Sequence, residues 1–143
     1  MIKTPFILIA LSFLWIGFVS AISFMEAWMK FRAPGITLQL GLGIGRLVFN
    51  ALNKIECVLT VFILLTILIS KVRLYSWDNL FILIPIVILT IQSFYLLPQL
   101  DHRAEMHIKG YAVQESSLHF VYVVMEFVKV ISVMFYGLCQ FNK

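Results

Sequence analysis

The fold of this chain follows from residues 47–70, which read LVFNALNKIECVLTVFILLTILIS. This stretch is apolar except for a few polar residues near its start. As a helix it is long enough to cross the hydrocarbon core of a bilayer, which takes about 20 apolar residues. Three more stretches of this kind occur, at residues 5–29, 80–97 and 118–139. We therefore predict four membrane-spanning helices.

The overall composition agrees with a membrane protein. Of the 143 residues, 62% are hydrophobic and 13% are charged, whereas soluble domains have about half and about a quarter. Only helices and closed barrels satisfy their backbone polar groups in lipid. We expect one all-α domain over residues 1–143, an antiparallel four-helix bundle of a multi-pass protein in a plasma or inner membrane. The net charge of +4 is spread along the chain, which excludes a nucleic-acid patch.

Each predicted helix carries one polar stripe at helical spacing. Ionisable side chains are costly in lipid, so we expect the stripes to face one another inside the bundle. Most of this polarity lies toward one end of the helices, which predicts a polar pocket open to one side of the membrane. The stripes are Ser23, Glu26 and Lys30; Arg46, Asn50, Asn53, Glu56, Cys57 and Thr60; Gln92, Tyr95, Gln99, His102 and Arg103; and Glu115, His119, Tyr122, Glu126 and Lys129.

We predict that this pocket binds a metal ion or a small molecule. Its carboxylates would be ligands or proton acceptors, with Arg46 and Lys129 as their charge partners. The expected partners are therefore the lipid bilayer and such a ligand, and an assembly of identical chains is left open. The predicted pocket residues are Glu26, Arg46, Asn50, Asn53, Glu56, Tyr122 and Lys129.

A transition metal ion is one predicted cofactor. Carboxylates and imidazoles from several helices are the recurring ligands of di-iron and di-manganese bundles. The Glu-x-x-His pair of those bundles does not occur in this sequence, where Glu115 and His119 are four residues apart. The candidate ligands are Glu26, Glu56, His119 and Glu126, with His102 and His107 above them.

An enzyme using the same pocket is the first alternative, either metal-dependent or of the thiol- or lipid-transferase type. The spacing Arg46-x6-Asn53-x2-Glu56 resembles the Arg/Asn/Glu signature of the membrane-associated eicosanoid and glutathione enzymes. That resemblance implies a transferase. However, Phe49 and Leu52 stand where that family has further arginines.

A structural or oligomer-forming protein without a ligand is the second alternative. In this interpretation the intramembrane acids pair with Arg46, Lys54 and Lys129 and only set the register of the helices. Asn50 and Asn53 would then be interhelical hydrogen-bonding residues.

Glycine and proline residues mark the predicted helix ends. Pro34-Gly35 predicts a turn, and Gly41-x-Gly43-x-Gly45 predicts either a hinge or a close contact between two helices. Pro98 predicts a kink or the end of the third helix.

Several short motifs are similar to a known family in their order and spacing. They are Pro34-x-x-Thr37, a glycine-rich entry to Arg46-Leu47-Val48-Phe49, Tyr95-Leu96-Leu97-Pro98 with Met106 beyond it, and His119-x6-Glu126. Together they resemble the four-span family typified by transmembrane protein 205, although Glu126 stands where such relatives tend to have asparagine. The resemblance implies a small integral membrane protein linked to metal or drug tolerance, and it implies no catalytic residues.

Overall fold

The computed structural model describes residues 4–70 and 77–142, apart from the side chains of residues 78 and 79. In these residues the chain is all-helical, and four helices are long and apolar enough to cross a membrane. This confirms the prediction of four long apolar helices. The connection predicted after the second helix falls largely outside the described residues. The four helices are α1 (Thr4–Arg32), α2 (Leu38–Ile69), α3 (77–108) and α4 (Leu118–Asn142).

Both α1 and α3 contain a π-helical segment, a rare element that is frequent at functional sites. The segments of α1 are an α-helix over Thr4–Val19, a π-helix over Ser20–Glu26, an α-helical turn over Ala27–Met29 and a 3-10 turn over Lys30–Arg32. Those of α3 are an α-helix over Trp77–Ile91, a π-helix over Gln92–Leu96 and an α-helix over Leu97–Ile108. In α4 an α-helix over Leu118–Cys139 is followed by a 3-10 turn over Gln140–Asn142.

The second helix begins earlier than the predicted span, which starts at residue 47. The Thr37 hydroxyl caps it by accepting a hydrogen bond of 3.2 Å from the Leu40 amide, as expected of a threonine N-cap. The glycine-rich motif is therefore helical and is not a hinge. The Phe31 ring lies directly over Gly41, where a Cβ atom would overlap it. This glycine thus lets the end of α1 pack closely on α2.

The third helix continues past Pro98, although the predicted span ends at residue 97. Proline lacks an amide donor and its ring crowds the preceding turn. The π-helical turn over Gln92–Leu96 comes just before it, and a wider turn gives the ring room. The helix then extends to Ile108. This extension places Asp101 and Glu105 beside Arg46 of α2. All three residues lie outside the predicted spans.

The core is apolar, with Leu8, Leu52, Ile63 and Val133 among its buried side chains. The sequence predicts that the half of the bundle away from the pocket, at residues 6–19, 61–69, 81–91 and 131–138, is almost purely apolar. However, Ser12, Ser132 and Tyr136 are buried within these stretches, and Gln140 is buried just beyond them. Two of these, Ser12 and Gln140, donate hydrogen bonds to carbonyl oxygens of their own helices.

Candidate functional site

A fully buried ionic cluster lies among the four helices. Its charged members are Glu56 of α2 and Glu126 and Lys129 of α4, whose side chains are each 0% exposed. The Lys129 ammonium lies 2.5 Å from Glu56 Oε1 and 2.8 Å from Glu126 Oε1. One lysine therefore pairs with two carboxylates. Only its pairing with Glu126, three residues earlier on α4, is local in sequence.

The two π-helical segments each supply a hydrogen bond to Glu126. Gln92 Nε2 donates to Glu126 Oε1 over 2.8 Å, and the Ser23 hydroxyl donates to Glu126 Oε2 over 3.2 Å. The Gln92 carbonyl oxygen in turn accepts a hydrogen bond of 2.7 Å from Lys129. Glu126 thus accepts hydrogen bonds from three side chains and uses both of its oxygens.

Glu56 accepts fewer hydrogen bonds than Glu126 does. Trp15 Nε1 donates to Glu56 Oε1 over 2.7 Å, the same oxygen that contacts Lys129. The other oxygen, Oε2, is buried and has no hydrogen-bond partner among the residues that the structure describes. A buried polar atom without a hydrogen-bond partner is rare in folded proteins and requires an explanation.

An open cavity of about 290 Å³ lies toward one end of the helices. Every helix contributes polar side chains to its wall, and the rest of the lining is apolar. The polar lining residues are Lys30 of α1, Arg46 and Asn50 of α2, Asp101 of α3, and His119 and Tyr122 of α4; the large apolar ones are Phe31, Leu42, Phe49, Leu97 and Leu100.

The charges at this cavity are paired. Arg46 donates two hydrogen bonds of 2.7 Å to the two carboxylate oxygens of Asp101 and lies 3.6 Å from Glu105. Lys30 forms an ion pair of 3.1 Å with Glu26. The Lys30 ammonium also lies 5.4 Å from the centre of the Phe49 ring, within range of a cation–π interaction. The cavity wall is therefore polar but close to neutral.

Tyr122 lies between the cavity and the ionic cluster. Its ring packs edge-on against Phe49 with the centroids 5.5 Å apart and lines the cavity. It precedes Glu126 by four residues, so the two share one face of α4. Its buried hydroxyl has no hydrogen-bond partner in the described part of the chain.

The structure places five of the seven predicted pocket residues in two groups. Arg46, Asn50 and Tyr122 line the open cavity. Glu56 and Lys129 belong to the buried cluster instead, where Lys129 pairs with both Glu56 and Glu126.

The remaining two predicted pocket residues join neither group. Asn53 donates a hydrogen bond of 2.7 Å to the Ser93 hydroxyl of α3, and Glu26 pairs with Lys30 of its own helix. Asn53 therefore has the interhelical role described for the structural alternative, and Glu26 neutralises a lysine of the cavity wall.

The predicted metal ligands do not converge. In residues 4–70 and 77–142 no group of three or more His, Cys, Asp or Glu side chains is placed to hold a metal ion. The Lys129 ammonium occupies the position between Glu56 and Glu126 where a metal would lie. His119 lines the open cavity and also a neighbouring one of about 450 Å³ that includes His107. His102 is exposed, and we propose no metal site.

Trp15 and Asp101 make polar contacts at the two sites and are missing from the predicted polar residues. Trp15 lies in an apolar stretch, and nothing around it in the sequence indicates that its indole meets Glu56. Asp101 follows Pro98, where the predicted span has ended. In a regular helix Asp101 lies on the side opposite Gln92, so the polar stripe of the third helix gives no signal for it.

The pair of Arg46 and Asp101 should contribute to stability as a unit. In a double-mutant cycle of Arg46→Ala and Asp101→Ala, we expect a coupling of about 1 kcal/mol, because the contact is bidentate and partly buried. Unfolding of the four variants in detergent micelles measures it. The exposed pair of Lys109 and Glu105 is the matched control and should couple more weakly. Additive effects of the two substitutions would contradict this assignment.

Comparison of the chain with family models, with curated proteins and with solved structures finds no match. The resemblance to the four-span family typified by transmembrane protein 205 therefore stays a prediction.

Proposed function

We propose that this chain is a multi-pass membrane protein whose four helices cross the bilayer as an antiparallel bundle. Three contacts between α1 and α2 support an antiparallel arrangement of these two helices. The Thr4 hydroxyl accepts a hydrogen bond from Ser70, Trp15 bonds to Glu56, and Lys30 lies against Gly45. The start of one helix thus meets the end of the next, as it does in an antiparallel pair.

The surface of the helices supports a lipid environment. Large apolar side chains cover it, and some are almost completely exposed, such as Leu47 at 75% and Phe94 at 83%. Soluble monomers rarely expose a large continuous apolar surface. A surface of this kind is expected where the helices contact lipid. A membrane also explains why so many charged side chains are internal and paired.

The proposed activity is the binding of a small amphipathic molecule in the open cavity. The observation that carries it is the cavity of about 290 Å³ itself, since ligand pockets are mostly apolar clefts with a few convergent polar groups. Phe31, Phe49 and Leu97 would contact the apolar part of the ligand. Its polar head would lie against Asn50, His119 and the pair of Arg46 and Asp101.

The charge balance of the wall indicates the kind of head group. Lys30 and Arg46 are neutralised by Glu26 and Asp101 at hydrogen-bonding distance. A charged head would have to break one of these pairs, at a cost in free energy. We therefore favour a neutral head with hydroxyl groups, as in a monoacylglycerol.

Thermal unfolding of the purified protein tests this proposal. A short-chain monoacylglycerol should raise the free energy of unfolding by about 2–3 kcal/mol when present at about 100 times its Kd. A fatty acid and an alkylamine of the same chain length should raise it less, because their charged heads meet paired groups.

Two tryptophan variants separate the cavity from non-specific partitioning. Ala104 lines the cavity, so Ala104→Trp should fill it and abolish the stabilisation. Leu47 is on the outer surface of α2, so Leu47→Trp should keep it. Equal stabilisation of both variants would overturn the proposed binding site.

The enzyme and the purely structural alternatives stay predictions. The buried cluster favours a structural contribution for its own residues, since it joins all four helices through Trp15, Glu56, Gln92 and Glu126. That contribution is compatible with a ligand in the separate open cavity.

A further inference from the structure

We infer that the buried cluster is a proton-binding site, in which one exchangeable proton is carried by Glu56 and reaches it from the open cavity past Tyr122. The inference concerns the cluster and does not depend on a ligand in the cavity.

The charge of the cluster is the first argument. Two carboxylates and one ammonium, all 0% exposed, carry a net charge of −1 when all three are ionised. An uncompensated buried charge costs several kcal/mol. The groups facing the cluster from the other helices do not compensate it, since Trp15 and Ser23 of α1 and Gln92 of α3 are neutral. One bound proton makes the cluster neutral and leaves one intact ion pair.

The hydrogen bonds indicate which carboxyl group holds the proton. Glu126 accepts hydrogen bonds from Ser23, Gln92 and Lys129, using both of its oxygens. Glu56 receives its two donors on Oε1, and Oε2 accepts nothing from the described residues. A carboxylic acid keeps its carbonyl oxygen as an acceptor and carries the proton on the other oxygen. Glu56, with both donors on one oxygen, has the pattern of the protonated acid. Glu126, with donors on both oxygens, has the pattern of the ionised partner.

A proton fits this site better than a metal ion does. The Lys129 ammonium lies between the two carboxylates, within 2.8 Å of an oxygen of each, and excludes a second cation from that position. Only Oε2 of Glu56 is left without a partner there among the described residues. A single oxygen holds a proton, whereas metal ions require several ligands.

The position of Tyr122 supplies a route to solution. Its ring faces the cavity, and its hydroxyl is buried one turn from Glu126. A hydroxyl group both donates and accepts. Once a small movement brings the Tyr122 hydroxyl into contact with the cluster, it can pass its proton to the carboxylate while it accepts one from cavity water, and the reverse transfer returns a proton to the water. Among the described residues a second tyrosine, Tyr136, is also buried. It lies toward the opposite end, among apolar side chains such as Ile63 and Val133. Exchange should therefore proceed from the cavity side.

Infrared difference spectroscopy of the ligand-free protein in lipid tests the inference through the carbonyl stretch of protonated carboxyl groups. At neutral pH we expect a band from one buried carboxylic acid. Glu56→Gln should abolish it, because Glu126 and Lys129 then form a neutral pair. Lys129→Met should roughly double it, because both acids must then be neutral. The control Glu26→Gln should leave the band unchanged.

Two further variants assign the proton to one residue. Trp15→Phe removes a donor from the Glu56 carbonyl oxygen and should shift the band. Ser23→Ala removes a donor from Glu126 and should leave its position unchanged. A shift in Ser23→Ala but not in Trp15→Phe would place the proton on Glu126 and overturn the assignment, and absence of the band from the unmodified protein would overturn the whole inference.

The route is tested by the rate at which the band shifts in heavy water. Tyr122→Phe should slow this exchange several-fold, whereas the matched variant Tyr136→Phe should not change it. Both variants should fold, since each removes a buried hydroxyl that has no partner among the described residues. Equal exchange rates in the two variants would exclude Tyr122 as the route.

Discussion

Replacing Lys129 with methionine is expected to lower the free energy of unfolding by about 3–5 kcal/mol at neutral pH. Methionine fills a similar volume, so packing changes little. The loss arises because Glu56 and Glu126, both 0% exposed, lose the only ammonium group near them in the described structure. The two carboxyl groups must then be neutral in the folded state. Reversible unfolding in mixed detergent micelles measures the change.

The pH dependence of this variant has a defined sign. Two buried carboxyl groups that stay protonated mean that the folded protein binds more protons than the unfolded one. Stability then falls as the pH rises, so the loss in Lys129→Met should be smaller in acid than at neutral pH.

The matched control for this substitution is Glu56→Gln. It should cost only about 1 kcal/mol, because glutamine resembles the protonated acid in shape and Lys129 keeps Glu126 as its partner. If Lys129→Met and Glu56→Gln reduce stability equally, the lysine is not shared between two acids in the way described here.

Replacing Trp15 with alanine is expected to cost about 3–5 kcal/mol. The side chain is 1% exposed and belongs to the apolar core, so its removal leaves a cavity. It also removes the indole donor of Glu56, which leaves that carboxyl group with Lys129 alone. Thermal and detergent-induced unfolding should both show the loss.

Trp77→Ala is the control for this second substitution. Trp77 is 84% exposed, and substitutions at such positions usually change stability by less than about 0.5 kcal/mol. Comparable losses in the two tryptophan variants would show that Trp15 has no special place in the core.

The four helices could be predicted because long apolar runs in a short chain allow few other folds. The first and last residues of the helices were predicted less accurately. The extension of α3 depends on the π-helical turn before Pro98, and a sequence pattern with a period of 3.6 does not reveal such a turn. Thr37 was a visible capping residue for α2, but the glycines after it favoured an interpretation as a loop or hinge.

The inward direction could be predicted for some of the polar residues, since Glu56, Tyr122, Glu126 and Lys129 are all buried. Other members of the predicted stripes, such as Cys57 and Tyr95, are exposed. Periodicity tells which face of a helix is polar. It does not tell whether water reaches that face, because this depends on how closely the partners approach. The separation of an open cavity at Arg46 and Asn50 from a dry cluster at Glu56 is a property of the packing, not of the pattern.

The most direct test of this account is the reaction of single cysteines on α2 with a membrane-impermeant thiol reagent. The background carries Cys57→Ser and Cys139→Ser, which remove both native thiols. Reaction requires the thiolate and therefore water. We expect Asn50→Cys, in the cavity, to react from one side of the membrane only, and Glu56→Cys, in the cluster, to remain unmodified while the protein is folded. Modification of Glu56→Cys as fast as that of Asn50→Cys, or of Asn50→Cys from both sides, would contradict an open cavity that ends above a dry cluster.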